Sequence, residues 1–148
     1  MFDLKAIQSA LGDLGYDAWL LYDFRGSNPL VRRVLGLDEK AINSRRFFYL
    51  IPANGTPRKL LHRIETFVLD ALPGDRVVYL RWEELEKGIK ELMSPFKRVA
   101  MEYSPKNAIP YVSHVDAGTI ELVKSTGVEV VSSGDLITVF EATRVAAQ

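Results

Sequence analysis

RRFFYLIPANGTPRKLLHRIE, residues 45–65, is the stretch on which the fold turns. Two runs of apolar and β-favouring residues flank Asn54-Gly55, a dipeptide that readily takes the positive φ angles of a tight hairpin, so the stretch reads as two antiparallel strands. Pro52 and Pro57 stand at the strand ends. Because proline cannot donate a ladder hydrogen bond, they predict an outer position for this hairpin in its sheet.

Helices and strands alternate on both sides of the hairpin. Upstream, Leu4, Ile7, Leu11 and Leu14 step at helical spacing between Asp3, an N-cap, and Gly15, a stop. Ala18 to Tyr22 is short, almost wholly apolar and bounded by Asp17 and Asp23, as a strand buried on both faces would be. The connection FRGSNPLVRRVLGLDEKAINS (24–44) is long for a compact domain, as functional or disordered segments are, and Leu30, Val31, Val34, Leu35 and Leu37 argue for a docked helical turn instead of disorder. Downstream, Thr66–Leu72 reads as a short helix ended by Pro73-Gly74, and Arg76–Leu80 as a strand. Leu85, Ile89 and Leu92 mark a helix with Glu83–Lys87 and Glu86–Lys90 pairs on its outer face. Val99–Tyr103 is another strand. Ser113 with Asp116 resembles a capping box opening a helix that Gly127 ends, Val128–Val131 is the last strand, and Ser133 starts a final helix. The sum is an α/β domain: a mixed, about six-stranded sheet flanked by helices.

At 148 residues, with 47% apolar residues, the chain can bury a full core without help from metals or disulfides. The absence of cysteine excludes thiol nucleophiles and zinc-thiolate sites. No apolar run approaches the roughly 20 residues of a membrane span, and the N-terminus MFDLKAIQSA lacks a secretory apolar region, so a cytoplasmic protein without membrane contact is expected. The neutral total hides a local asymmetry. Between Phe24 and Arg63 nine cations, Arg25, Arg32, Arg33, Lys40, Arg45, Arg46, Arg58, Lys59 and Arg63, face only Asp38 and Glu39. A local arginine cluster suits carboxylate or phosphate recognition by bidentate hydrogen bonds, whereas a nucleic-acid binder carries its basic excess over the whole domain.

Catalytic motifs are missing. His62 with Glu65, or His114 with Asp116, lacks further ligands at metal-site spacing, and no phosphate-binding glycine loop or nucleophile elbow occurs. The end of the chain, GDLITVFEATRVAAQ (134–148), carries helix formers and no stop, as a helix leading into further polypeptide would.

The stretches DFRGSNPLVRRVLGL (23–37), RRFFYLIPANGTPRKLLHRIE (45–65), RWEELEKGI (81–89), MEYSPKNAIPYVSHVDAGTIELVKSTGVEVVSSGDLI (101–137) and VFEATR (139–144), in this order, resemble the N-terminal domain of the creatinase/prolidase family, the pita-bread metallopeptidases that include Xaa-Pro dipeptidases and aminopeptidases. The resemblance implies a ribonuclease-H-like domain over residues 1–140, with 141–148 starting a linker or helix towards a C-terminal pita-bread domain that holds two divalent metal ions of the manganese, cobalt or zinc class. This chain has none of those ligands, so it is expected to be non-catalytic and to carry no cofactor itself. Its implied partners are its own C-terminal catalytic domain, a second subunit in a homodimer, and short proline-containing peptides, whose access to the active site it would restrict. Arg25, Asn28, Arg32 and Arg33 are the candidates for contact with a substrate carboxylate or partner; Arg45, Arg46 and His62 are those for the dimer contact. The alternative is a stand-alone protein- or peptide-binding module of the same fold.

Overall fold

The structure is a computed structural model that describes residues 2–38 and 43–146. Lys40 of the basic segment and residues 147–148 lie outside the described residues. In chain order the elements are α1 (Leu4–Leu14), β1 (Ala18–Asp23), α2 (Pro29–Val34), β2 (Phe47–Pro52), β3 (Arg58–His62), β4 (Asp75–Tyr79), α3 (Trp82–Met93), β5 (Arg98–Met101), α4 (Ala117–Lys124), β6 (Glu129–Ser132) and α5 (Gly134–Ala146). The strands form one sheet in the order β4-β3-β2-β1-β5-β6, with every pairing parallel except those made by β2.

Side-chain alternation along the strands builds two cores. Ala18, Leu20 and Tyr22 of β1 and Phe48 and Leu50 of β2 face α3 and α4, where they meet Leu85, Ile89, Leu92, Ile120 and Val123. Trp19, Leu21, Phe47, Tyr49 and Ile51 face the other way and pack on Ile7 and Leu11 of α1, Leu30 and Val31 of α2, and Leu136 and Ile137 of α5. All six residues of β1 are buried, as a strand covered on both faces requires. Asp3 caps α1 by accepting from the Ala6 N–H at 3.1 Å, and Gly15 ends it at φ 73°.

The structure corrects four local expectations. The hairpin is not at the rim: β3 pairs β4 on one side and β2 pairs β1 on the other, which makes β4 and β6 the edges. The prolines allow this because of where they fall in the ladders. Pro52 lies opposite Ala18, where the cross-strand bond runs instead from the Ala53 N–H to the Asp17 carbonyl (2.8 Å), and the β2–β3 ladder ends earlier, at Leu50 opposite Arg58. Residues 63–72 form a 3₁₀ turn (Arg63–Glu65) and successive i to i+3 turns instead of a helix at Thr66–Leu72. That three-residue repeat puts Leu69 and Leu72 together on the core. Asp116, not Ser113, caps α4, accepting from the Thr119 N–H (2.9 Å) and hydroxyl (2.7 Å). On α3 the ion pair within 4.0 Å is Lys87–Glu91.

Candidate functional site

Five of the six strands end at one edge of the sheet, and reversed β2 enters there, so this edge collects chain from every element of the sheet. β2, β3 and β4 are laid on one side of β1 and β5 and β6 on the other, so the topological switch point lies between the carboxyl ends of β1 and β5. Open α/β sheets place ligands at such points. Here the chain fills the crevice itself. Glu102, just past β5, is fully buried; its Oε2 accepts from Trp19 Nε1 (2.7 Å) and Ser133 Oγ (2.8 Å), and its Oε1 from Asn28 Nδ2 (2.7 Å). Burial pushes the Glu102 carboxyl up from its ordinary value, and the bonds from Trp19, Ser133 and Asn28 oppose that rise.

Asn28 is the joint between this carboxylate and the long basic connection. Its Nδ2 also donates to the Tyr22 carbonyl (3.0 Å), its Oδ1 accepts from the Val31 N–H (3.3 Å) as the cap of α2, and its own N–H donates to Asp23 Oδ1 (2.9 Å). Asp23 Oδ2 accepts from the Gly26 N–H (2.9 Å), which pins the turn at Arg25, a residue held at φ 56°. The candidate residues of the connection thus separate by depth: Asn28 is wholly interior, while Arg25 is exposed with no carboxylate within 4.0 Å among the described residues. Arg32 donates to Asn43 Oδ1 (3.2 Å) and the Asp38 carbonyl (3.1 Å). Arg33 Nη2 reaches Glu141 Oε1 (3.2 Å) and the Tyr111 hydroxyl (3.0 Å), and that hydroxyl donates to the same carboxylate (3.0 Å). This triad ties α2 to α5 beside an apolar groove of about 760 Å³ that includes Ile109, Tyr111 and Ile137.

The other candidates converge on the α3/α4 side of the same edge. Arg45, Arg46 and His62 line a cleft of about 500 Å³ with Arg81 and Trp82, over a floor that includes Tyr22, Tyr79 and Leu85. Glu65 holds the entry to β2 in place by accepting from the Ser44 N–H (2.7 Å) and hydroxyl (2.6 Å) and the Arg45 N–H (2.8 Å). The Tyr79 hydroxyl, pushed up to about 12 chiefly by burial, donates to the Arg46 carbonyl at 2.6 Å. The Arg46 guanidinium stacks over Trp82, 5.4 Å from the ring centroid. Burial first, then Arg45, holds His62 below its ordinary value, and its Nδ1 accepts from the Ile64 N–H (3.2 Å). Sequence reasoning passed over Glu102, Arg81 and Trp82. For Glu102 the signal was present, an acid inside the apolar strand run VAMEY.

Among the described residues no three His, Asp or Glu side chains come together to hold a metal ion, so they do not fit the two-metal site that the resemblance implies. No helix among them is long and apolar enough to cross a membrane.

No family model and no curated protein matches the sequence. Solved structures do match. A proline dipeptidase structure from Streptococcus pneumoniae is 18% identical, with 96% of this chain and 98% of that one covered at a TM-score of 0.70. The creatinase/prolidase N-terminal domain of an X-Pro dipeptidase from Streptococcus pyogenes is 13% identical, with 91% and 95% covered at 0.66. The prolidase from Pyrococcus horikoshii is 18% identical at 0.59, and the 90% of this chain that aligns spans about a third (33%) of that protein. The architecture, a six-stranded mixed sheet between helices, is therefore the creatinase/prolidase N-terminal domain fold. In fold this chain is similar to structures of prolidases and Xaa-Pro dipeptidases.

Proposed function

We propose that this chain is the non-catalytic N-terminal domain of an Xaa-Pro dipeptidase- or aminopeptidase-like metallopeptidase, in which it supplies dimer contacts and narrows the active-site entrance to short proline-containing peptides. The observation that carries this is the end-to-end match with structures that are themselves about the size of this chain and come from such dipeptidases. In this reading residues 141–148 lead towards a C-terminal catalytic domain, and the two divalent metals, of the manganese, cobalt or zinc class, belong to that domain. The parent enzyme works in the cytoplasm as a homodimer. Arg25, Arg32 and Arg33 lie near the carboxylate of a peptide bound by the other subunit, with Asn28 holding their loop from beneath. Arg25 is the best placed of the three, since Arg33 would have to leave Glu141. The dimer contact involves the sheet edge around Arg45, Arg46 and His62. The apolar groove beside Tyr111 supports a second reading, a stand-alone protein- or peptide-binding module.

The test uses the polypeptide as the cell makes it. An antibody raised against this chain should precipitate a protein near three times its length together with metal-dependent cleavage of Xaa-Pro dipeptides. Precipitation of a 16.7 kDa protein with no such activity would replace the enzyme reading with the binding module.

A further inference from the structure

Two of the three arginines that sequence reading assigned to a substrate carboxylate, Arg32 and Arg33, are engaged within the domain; three other arginines meet elsewhere. Arg45, Arg46 and Arg81 come from two separate parts of the chain, before β2 and before α3, and all three line the 500 Å³ cleft. None has a carboxylate within 4.0 Å among the described residues. Asp116 is the carboxylate on the lining, and its oxygens are taken by the α4 cap. Glu65, Asp116 and Glu84 lie near enough to feel Arg45, Arg46 and Arg81, but their oxygens are engaged by backbone N–H or hydroxyl groups, which leaves the guanidinium forks without a carboxylate partner among the described residues.

The same cleft has an apolar side. Trp82 is 52% exposed although Arg46 covers part of it, and Phe24 and Leu80 are exposed beside it. His62, with Nδ1 engaged by the Ile64 N–H, keeps its other ring nitrogen as a donor. Guanidinium forks against an aromatic wall are the chemistry that holds an oxyanion carried on a flat apolar body. The volume lies in the range of small-molecule sites.

We propose that this cleft binds a small organic anion, a carboxylate or phosphate on a planar apolar group, with Arg46 and Arg81 gripping the oxyanion and Trp82 stacking on the body. The inference does not rest on the peptidase reading and is an alternative to the dimer contact for Arg45, Arg46 and His62; it is tested on this chain by itself. Phenyl phosphate, benzoate, neutral benzyl alcohol and inorganic phosphate are titrated separately by calorimetry and by tryptophan fluorescence, in which a change at exposed Trp82 is read over the background of wholly buried Trp19. At least one aryl anion should bind saturably, and at least ten-fold more tightly than benzyl alcohol or inorganic phosphate; the tighter of the two names the oxyanion. Arg46→Ala, Arg81→Ala and Trp82→Ala should each weaken it ten-fold or more, while Arg98→Ala, at the opposite end of the strands, should leave it unchanged. Absence of saturable binding by both aryl anions up to about 10 mM, binding of inorganic phosphate as tight as that of phenyl phosphate, or an equal loss in Arg98→Ala would overturn the proposal.

Discussion

Replacing Glu102 by Gln changes one oxygen into an NH₂ and nothing in volume, yet the geometry leaves the new amide no good orientation. With its oxygen towards Trp19 and Ser133, its NH₂ faces Asn28 Nδ2, another donor. Asn28 cannot turn its own amide over, because Nδ2 donates to the Tyr22 carbonyl and Oδ1 accepts from the Val31 N–H. With the amide reversed, the NH₂ meets the Trp19 N–H instead. One buried donor pair is left facing in either case, at a cost of about 1–3 kcal/mol, or roughly 3–10 °C in Tm for a chain of this size. The pH dependence sharpens the test. Because burial raises the folded-state pKa of Glu102 above its ordinary 4.5, its contribution to stability is full below that value and is lost as pH rises through the raised one. Glutamine cannot titrate. The stability gap between wild type and Glu102→Gln, from urea melts at pH 4 to 7.5, should therefore be widest at the acid end and narrow with rising pH, by up to about 1.4 kcal/mol per unit. A gap that widened with pH would mean that the three donors hold the carboxylate better than the acid, and the reasoning would fail.

Gly74→Ala should destabilise the chain by more than about 3 kcal/mol in the same melts, since the residue sits at φ 120° and a Cβ would lie 2.3 Å from the Pro57 carbonyl oxygen. Asp116→Ala removes the cap of α4 and should cost about 1 kcal/mol, most of it recovered in Asp116→Asn. The N–H groups of Arg98 and then Lys97, each 2.8 Å from Asp17 Oδ2, hold the Asp17 carboxyl below its ordinary 3.8. Its contribution is present above that value and lost as pH falls through the lowered one, so Asp17→Asn should destabilise at pH 6 and cost progressively less below pH 4.

What could be read from the sequence was whatever depends on neighbours in the chain. Asp3 and Gly15 bracket α1, Asn54-Gly55 turns the hairpin, and the five apolar residues from Ala18 announce β1, because caps, turns and burial on both faces leave their marks within a few residues. The place of the hairpin in the sheet was not of this kind. Whether Pro52 breaks a ladder depends on which partner residue it faces, and that register is set by Ala18, 34 positions away. The Arg cluster was visible as charge, but its division into arginines tied to their own domain (Arg32, Arg33) and arginines on an open cleft (Arg45, Arg46) follows from Asn43, Glu141 and Trp82, which lie between 11 and 108 positions from the arginines they sort. Arg81 joined the cleft only because β4 ends beside β3.

The carboxylate that closes the switch point also dictates an order of assembly. Polypeptide leaves the ribosome N-terminus first, and β1 to β4 could pair from sequence that is locally available. Trp19 and Asn28, however, find their acceptor 83 and 74 residues later, and burying them before it exists would strand two donors. The α1/α2 side therefore cannot seal on a nascent chain that stops short of Glu102, and such a product is left with an open flank that chaperones and proteases can recognise. A circular permutant beginning at β5 would make the acceptor first, and its half-made chains should survive longer.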